Sequence, residues 1–183
     1  MKKYIATIAL GIFANLSFAQ MTIGDVTKAS ANQSSVLLDF EKNAGRGLLL
    51  PTISDLSKVT STVNGTFILD ATNATAARIK LREKGVWRDL SLNDGNATAT
   101  KLPVTSVDNV TAKAVLGIDD ATAPDGVLVL NSTTKAMVLP IVDNTDKIIN
   151  PAPGMMVYVK NTTIDKSTLA VFNGTSWAFW AAN

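Results

Sequence analysis

Residues 46–51 read Arg-Gly-Leu-Leu-Leu-Pro, and residues 135–140 return to the same pattern as Lys-Ala-Met-Val-Leu-Pro. Gly-Thr-Phe-Ile-Leu at residues 65–69 has a counterpart, at the same offset, in Gly-Met-Met-Val-Tyr at residues 154–158. Because the same apolar pattern occurs twice, the sequence predicts a tandem of one supersecondary unit, and the packing of the two copies becomes the first question.

Around these stretches the apolar residues come in short runs rich in β-branched and aromatic side chains, which is typical of strands. Turn signals such as Lys84-Gly85 and Asn173-Gly174 separate them, and each of these two lies just before one of the repeated tryptophans, Trp87 and Trp177. The sequence therefore predicts an all-β fold with two related small β-sandwich or β-meander lobes. Ten strands are expected, at residues 36–40, 47–51, 66–69, 78–81, 86–90, 127–130, 137–142, 155–159, 169–172 and 177–180.

The chain divides by composition into four segments. Residues 1–19 have a charged start, a short apolar run and small residues before Gln20, which predicts a secretory signal peptide. The first lobe then covers residues 20–92, a linker rich in Thr, Ala, Asn and Asp covers 93–114, and the second lobe covers 115–183. Residues 110–116, across the boundary between the linker and the second lobe, could make a short helix.

Charge and composition limit the partners. Removing the signal leaves equal numbers of basic and acidic residues, so the sequence gives no support to nucleic-acid binding. No later stretch is long and apolar enough to span a membrane. With no cysteine in an exported chain, stability must come from the core without disulfides. We expect a secreted protein, located extracellularly or at the cell surface.

Catalytic chemistry has little to draw on. The chain contains no histidine and no cysteine, which removes the usual general base, thiol nucleophiles and most zinc sites. Glu41 and Glu83 are the candidate residues of a carboxylate hydrolase, a third hypothesis beside the structural and binding functions discussed below. Two clusters of loop acids resemble calcium ligands but lack the residue order of a calcium-binding loop (Asp119, Asp120 and Asp125; Asp143 and Asp146). We expect no enzyme activity, no cofactor and no metal.

Two surfaces are candidates for binding. Arg78, Lys80, Arg82 and Lys84 alternate with other residues, so a strand would present four cations on one face, either to a polyanion or simply to solvent. Near the C-terminus, Trp177 and Phe179 are expected to fill the core. Trp180, on the opposite face, is a candidate for a sugar platform or a subunit contact.

The second copy, with Leu-Asn-Ser-Thr-Thr-Lys at residues 130–135, Pro140, Gly-Met-Met-Val-Tyr at 154–158 and Asn-Gly-Thr-Ser-Trp at 173–177, resembles a secreted module common in Bacteroidetes. Such modules recur in long surface or tail-fibre-like proteins. The first copy departs from the pattern at residues 39–41 and 84–86, and both copies lack the arginine that usually follows the proline. The resemblance implies an exported β-rich building block without catalytic residues.

These observations favour a structural subunit of an extracellular filament or surface assembly, with further copies of the chain as partners. Met21 and Ile23 lie in a short predicted strand that follows the signal and is tethered to the first lobe by residues 28–35. This strand would either complete the sheet of a neighbouring subunit or fold back on its own lobe. The alternative is an adhesin or carbohydrate-binding module, with glycans as partners.

Overall fold

The computed structural model describes residues 20–25, 27, 35–59, 63–98, 114–117, 126–161 and 166–181. The predicted signal peptide, all but the last residue of the predicted tether and most of the predicted linker lie outside these ranges. Boundaries between lobes therefore stay predictions.

The described residues are all-β and contain no α-helix. Short 3-10 turns accompany the strands, among them Leu56–Lys58, Ala74–Ala76 and Thr145–Lys147. The strands are β1 (Met21–Ile23), β2 (Val36–Phe40), β3 (Leu48–Leu49), β4 (Thr52–Ile53), β5 (Phe67–Asp70), β6 (Arg78–Glu83), β7 (Val86–Asp89), β8 (Ala114–Gly117), β9 (Leu128–Asn131), β10 (Ala136–Met137), β11 (Ile141–Val142), β12 (Met155–Asn161), β13 (Lys166–Phe172) and β14 (Trp177–Ala181).

Strands β1–β7, the N-terminal set, and strands β8–β14, the C-terminal set, have corresponding pairings. The order β4-β5-β6-β7 corresponds to β11-β12-β13-β14, each with one parallel pair followed by two antiparallel pairs. The registers also correspond, since Leu69 donates its N–H to the Pro51 carbonyl and Tyr158 donates to that of Pro140. The parallel pair β1-β2 likewise corresponds to β8-β9.

The two sets also share strands. β3 of the N-terminal set pairs with β12, and β10 of the C-terminal set pairs with β2. The first contact is antiparallel, with Leu48 beside Met156, and the second is parallel, with Met137 beside Leu38. Each set therefore contributes one short strand to a sheet of the other.

The main core lies between the sheet of β4–β7 and the sheet that contains β12–β14. Leu69 and Ile79 from the first sheet pack with Met156 and Val171 from the second, and all four side chains are buried. Because side chains alternate along a strand, Val157 on the other face of β12 belongs to a second, smaller cluster. The packing buries both faces of β12.

The structure differs from the sequence-based expectation at several elements. A meander or sandwich of hairpins would be antiparallel, but five of the strand pairs are parallel, because long connections return the chain to the same direction. The expected strand at 137–142 is two strands, β10 and β11, separated at Pro140. The helix proposed at 110–116 is wrong where the structure describes it, since Ala114–Gly117 is the strand β8.

The start of the predicted linker is packed against the C-terminal hairpin. Ala97 is completely buried in the main core. The Asn173 side chain donates a 2.7 Å hydrogen bond to the Asn93 carbonyl, and Gly95 lies directly against the backbone of the same asparagine. Residues 93–97 thus form part of the fold.

Candidate subunit-contact surface

The clearest candidate surface is β9, which corresponds to the buried strand β2. Equivalent leucines begin the two parallel pairings: Leu38 of β2 lies beside Met21 of β1, and Leu128 of β9 lies beside Ala114 of β8. Leu38 is 1 % exposed, whereas Leu128 is 46 % exposed and the preceding Val127 is 71 % exposed. The difference follows from strand pairing, because β2 has β1 on one edge and β10 on the other, while among the described strands β9 pairs only with β8.

The edge of β9 away from β8 has no partner among the described strands, and exposed apolar side chains lie beside it. Ala114 donates its N–H to the Val127 carbonyl, so the peptide groups of Leu128, one residue on, point to the opposite edge. An edge of this kind is a template for another strand. We call this surface, residues 127–129, the β9 edge.

The short strand β1 folds back on its own chain. It lies parallel to β2, with Ile23 beside Phe40, and the Ile23 carbonyl accepts a hydrogen bond from the Glu41 N–H. This is the second of the two arrangements expected from the sequence. Met21 and Ile23 each remain 46 % exposed, so both are available for a contact, although their role between subunits stays a prediction.

The predicted cationic face forms on β6, but nearby acids neutralise much of it. Arg78 Nε donates a 2.8 Å hydrogen bond to Asp94, and Lys80 Nζ lies 2.7 Å from Asp70 Oδ2. Burial by itself would raise the pKa of Asp70, but hydrogen bonds from Lys80 and Thr72 outweigh it and lower the pKa below its ordinary value. Arg78 and Lys80 therefore form ion pairs within the chain.

The last two cations of that face differ from each other. The Arg82 guanidinium lies 5.3 Å from the centre of the Trp87 ring, a cation–π contact, and its buried Nε has no hydrogen-bond partner among the described residues. Lys84 is in the β6–β7 turn with a positive φ of 50°. Binding of a polyanion by these four residues stays a prediction.

The C-terminal aromatic residues are only partly as expected. Trp177 packs against the second core cluster, with its ring centre 5.2 Å from that of Phe172. The expectation of a buried Phe179 is wrong, because the side chain is 50 % exposed and the small Ala178 fills the core instead. Trp180 is 44 % exposed, and its indole N–H donates a 2.8 Å hydrogen bond to the Leu90 carbonyl. That bond joins β14 to the end of the N-terminal set.

The carboxylates considered for catalysis or metal binding serve local structure where they are described. Glu83 pairs with Arg88, and Glu41 accepts a hydrogen bond from the Asp25 N–H. Asp143 pairs with Lys147 beside a turn that Asn144 caps, while the cluster at residues 119–125 lies outside the described ranges. Within those ranges, no three acidic side chains come together as a metal site would require.

Residues 117–182 match the protein family described as "Phage tail like trimerisation region". The described part of that match contains β9–β14, including the exposed β9 edge. Comparison with curated proteins and with solved structures finds no match. No helix in the described ranges has the length and apolar character needed to cross a bilayer.

Sequence reasoning proposed subunit contacts through Met21, Ile23 and Trp180 and missed the β9 edge. Residues 127–130 were correctly expected to form a strand, and their continuous apolar character is typical of a strand buried on both faces. The available signal was that a completely apolar strand needs cover on both sides. Only the pairing of the described strands shows that β2 has a neighbour on each edge while β9 has one on a single edge.

Proposed function

We propose that the chain is a non-catalytic structural subunit that assembles into homotrimers as part of an extracellular, tail-fibre-like assembly. The observation that carries the proposal is the match of residues 117–182 to a trimerisation region, over strands that include the exposed β9 edge. An apolar strand edge at the surface of a secreted protein favours association with another chain.

Strand pairing between subunits is the mechanism that the exposed edge supports. The N-terminal strand β1 is a less suitable donor than the sequence suggested, because it already pairs with β2 over three residues of its own chain. Donation of β1 would first require its release, which uncovers the buried Leu38. We therefore assign the subunit contact to edges without a described partner in the same chain.

The test is the mass of the purified chain in solution. Sedimentation or light scattering over a wide concentration range should give three times the mass of one chain, and electron microscopy should show elongated particles. A chain that remains monomeric at the highest soluble concentration would refute the proposal. Glycan binding, the alternative function, predicts instead a monomer that binds a glycan array, and a Trp180→Ala variant that folds but does not bind.

A further inference from the structure

We propose that the C-terminal set of one chain joins the N-terminal set of the next by the same two strand contacts that join the sets within a chain. In this arrangement β3 of the next chain lies along β9, and β10 lies along β5 of the next chain. The inference rests on the proposed function, since the partner is a second copy of this chain. It specifies which strands meet.

The first step is that β3 and β10 use opposite edges. The Leu50 N–H donates to the Gly154 carbonyl, so residues 48 and 50 face β12. In the corresponding segment, the Ala136 N–H donates to the carbonyl of Ser35, just before β2, and the Val138 N–H donates to that of Leu38 on β2. Ala136 and Val138 correspond to residues 47 and 49, and neighbouring residues in a strand face alternate edges.

It follows that each short strand retains the edge that the other one uses. β3 retains the edge type that β10 presents to β2, and its matching acceptor is β9, the counterpart of β2. β10 retains the edge type that β3 presents to β12, and its matching acceptor is β5, the counterpart of β12. Both acceptors are described strands, and neither has a described partner at the positions concerned.

The acceptor edge of β5 has the same geometry as the occupied edge of β12. On β12, the residues just before the β11 contact, Met155 and Met156, pair with β3. On β5, the residues just before the β4 contact are Thr66 and Phe67, and the Leu69 N–H faces the same edge, toward Pro51. The space that β3 occupies on β12 is therefore repeated on β5.

The side chains at the proposed contact require a slightly wider spacing than the contact within the chain. Gly47 packs so closely on β12 that an added Cβ would lie 2.4 Å from Met155 Cγ. The counterpart of Gly47 is Ala136, which carries that Cβ, and the counterpart of Met155 is Thr66, which is a smaller residue. An added Cβ at Gly47 would also lie 2.8 Å from Val157 Cγ1 and 2.9 Å from the Met156 carbonyl oxygen, so β10 must lie slightly farther from β5 than β3 lies from β12.

An interface of this kind is head-to-tail, because different surfaces of the two chains meet. Such contacts close into a ring when successive rotations return to the first chain, and otherwise they continue as a helical fibre. Three successive contacts would close the homotrimer proposed above. The apolar residues Val127 and Leu128 would then be covered as Leu37 and Leu38 are within the chain.

Cysteine cross-linking of the full chain tests the inference, and the cysteine-free sequence makes it specific. Leu49 and Met155 are register partners. They form a non-hydrogen-bonded pair, because the hydrogen bond to Gly154 lies one residue away, and such pairs have the short Cα separation that a disulfide requires. The corresponding intermolecular pair is Val138 with Thr66.

We expect Thr66→Cys chains and Val138→Cys chains, co-expressed and oxidised, to give disulfide-linked dimers that neither variant gives alone. The matched control, Leu49→Cys with Met155→Cys in one chain, should close within that chain without raising its mass. A trimer in which the control disulfide forms and the 66–138 disulfide does not would overturn the strand assignment and leave the proposed function intact. A monomer that forms only the control disulfide would overturn both.

Discussion

Substitution of three glycines by alanine distinguishes two destabilising effects of an added methyl group, which are backbone strain at positive φ and steric overlap with neighbouring atoms. At Gly85 the backbone has a φ of +76°, and an added Cβ would meet open space. At Gly95 the φ is not in the positive range, but a Cβ would lie 1.9 Å from the Asn173 carbonyl oxygen. At Gly174 both conditions hold, with a φ of +99° and a Cβ 1.9 Å from the Asn96 carbonyl oxygen.

The size of each effect follows from these contacts. Gly85→Ala forces an alanine into a left-handed conformation and should lower the free energy of unfolding by about 1 kcal/mol. Gly95→Ala overpacks a close contact between backbones, where nothing as flexible as a side chain can move aside, and should cost about 3 kcal/mol. Gly174→Ala combines strain with overpacking and should cost about 4 kcal/mol, the sum of the two terms.

Urea unfolding followed by tryptophan fluorescence would measure all three variants at one chain concentration, since association makes stability depend on concentration. The urea concentration at the unfolding midpoint should be highest for Gly85→Ala, lower for Gly95→Ala and lowest for Gly174→Ala. The slope of the unfolding free energy against urea concentration should be the same for all three. If Gly174→Ala loses no more stability than Gly85→Ala, the close packing of residues 93–97 on the C-terminal hairpin is refuted.

Other variants test other parts of the fold. Leu69→Ala removes a completely buried side chain from the main core and should cost about 2–5 kcal/mol in the same unfolding assay. Asp70→Asn should lower the melting temperature at neutral pH; because the folded pKa of Asp70 lies below its ordinary value of 3.8, that loss should disappear as the pH falls through the folded pKa. A difference from the wild type that persists in strong acid would show that the Lys80 pair is not its cause. Trp180→Phe removes the hydrogen bond to the Leu90 carbonyl and should cost about 1 kcal/mol, so an unchanged midpoint would contradict a structural role for that bond.

Much of the local structure could be predicted from the sequence, because local signals determine it. The apolar run at 36–40 coincides with β2, and the signals Lys84-Gly85 and Asn173-Gly174 occur at the β6–β7 and β13–β14 turns. At these turns the positive φ values of Gly85 and Gly174 explain why glycine occurs there.

The long-range pairing could not be predicted in the same way. Short strands such as β3 and β10 have two residues each, and nothing in Leu48-Leu49 specifies a partner on β12. The burial of Phe179 was misjudged for a related reason. Alternation assigns residues to two faces of a strand, but the packing of the opposing sheet decides that Ala178 is on the buried face.

The exchange of β3 and β10 between the two strand sets has a consequence for unfolding. If the N-terminal set opened, β12 would lose β3 and β10 would lose its place on β2, so the C-terminal set would not survive intact. The chain should therefore lose its structure in one cooperative transition, and amide hydrogens in β2 and β12 should exchange with solvent at the same free energy of opening. Although the two strand sets resemble copies of one unit, neither should be stable without the other.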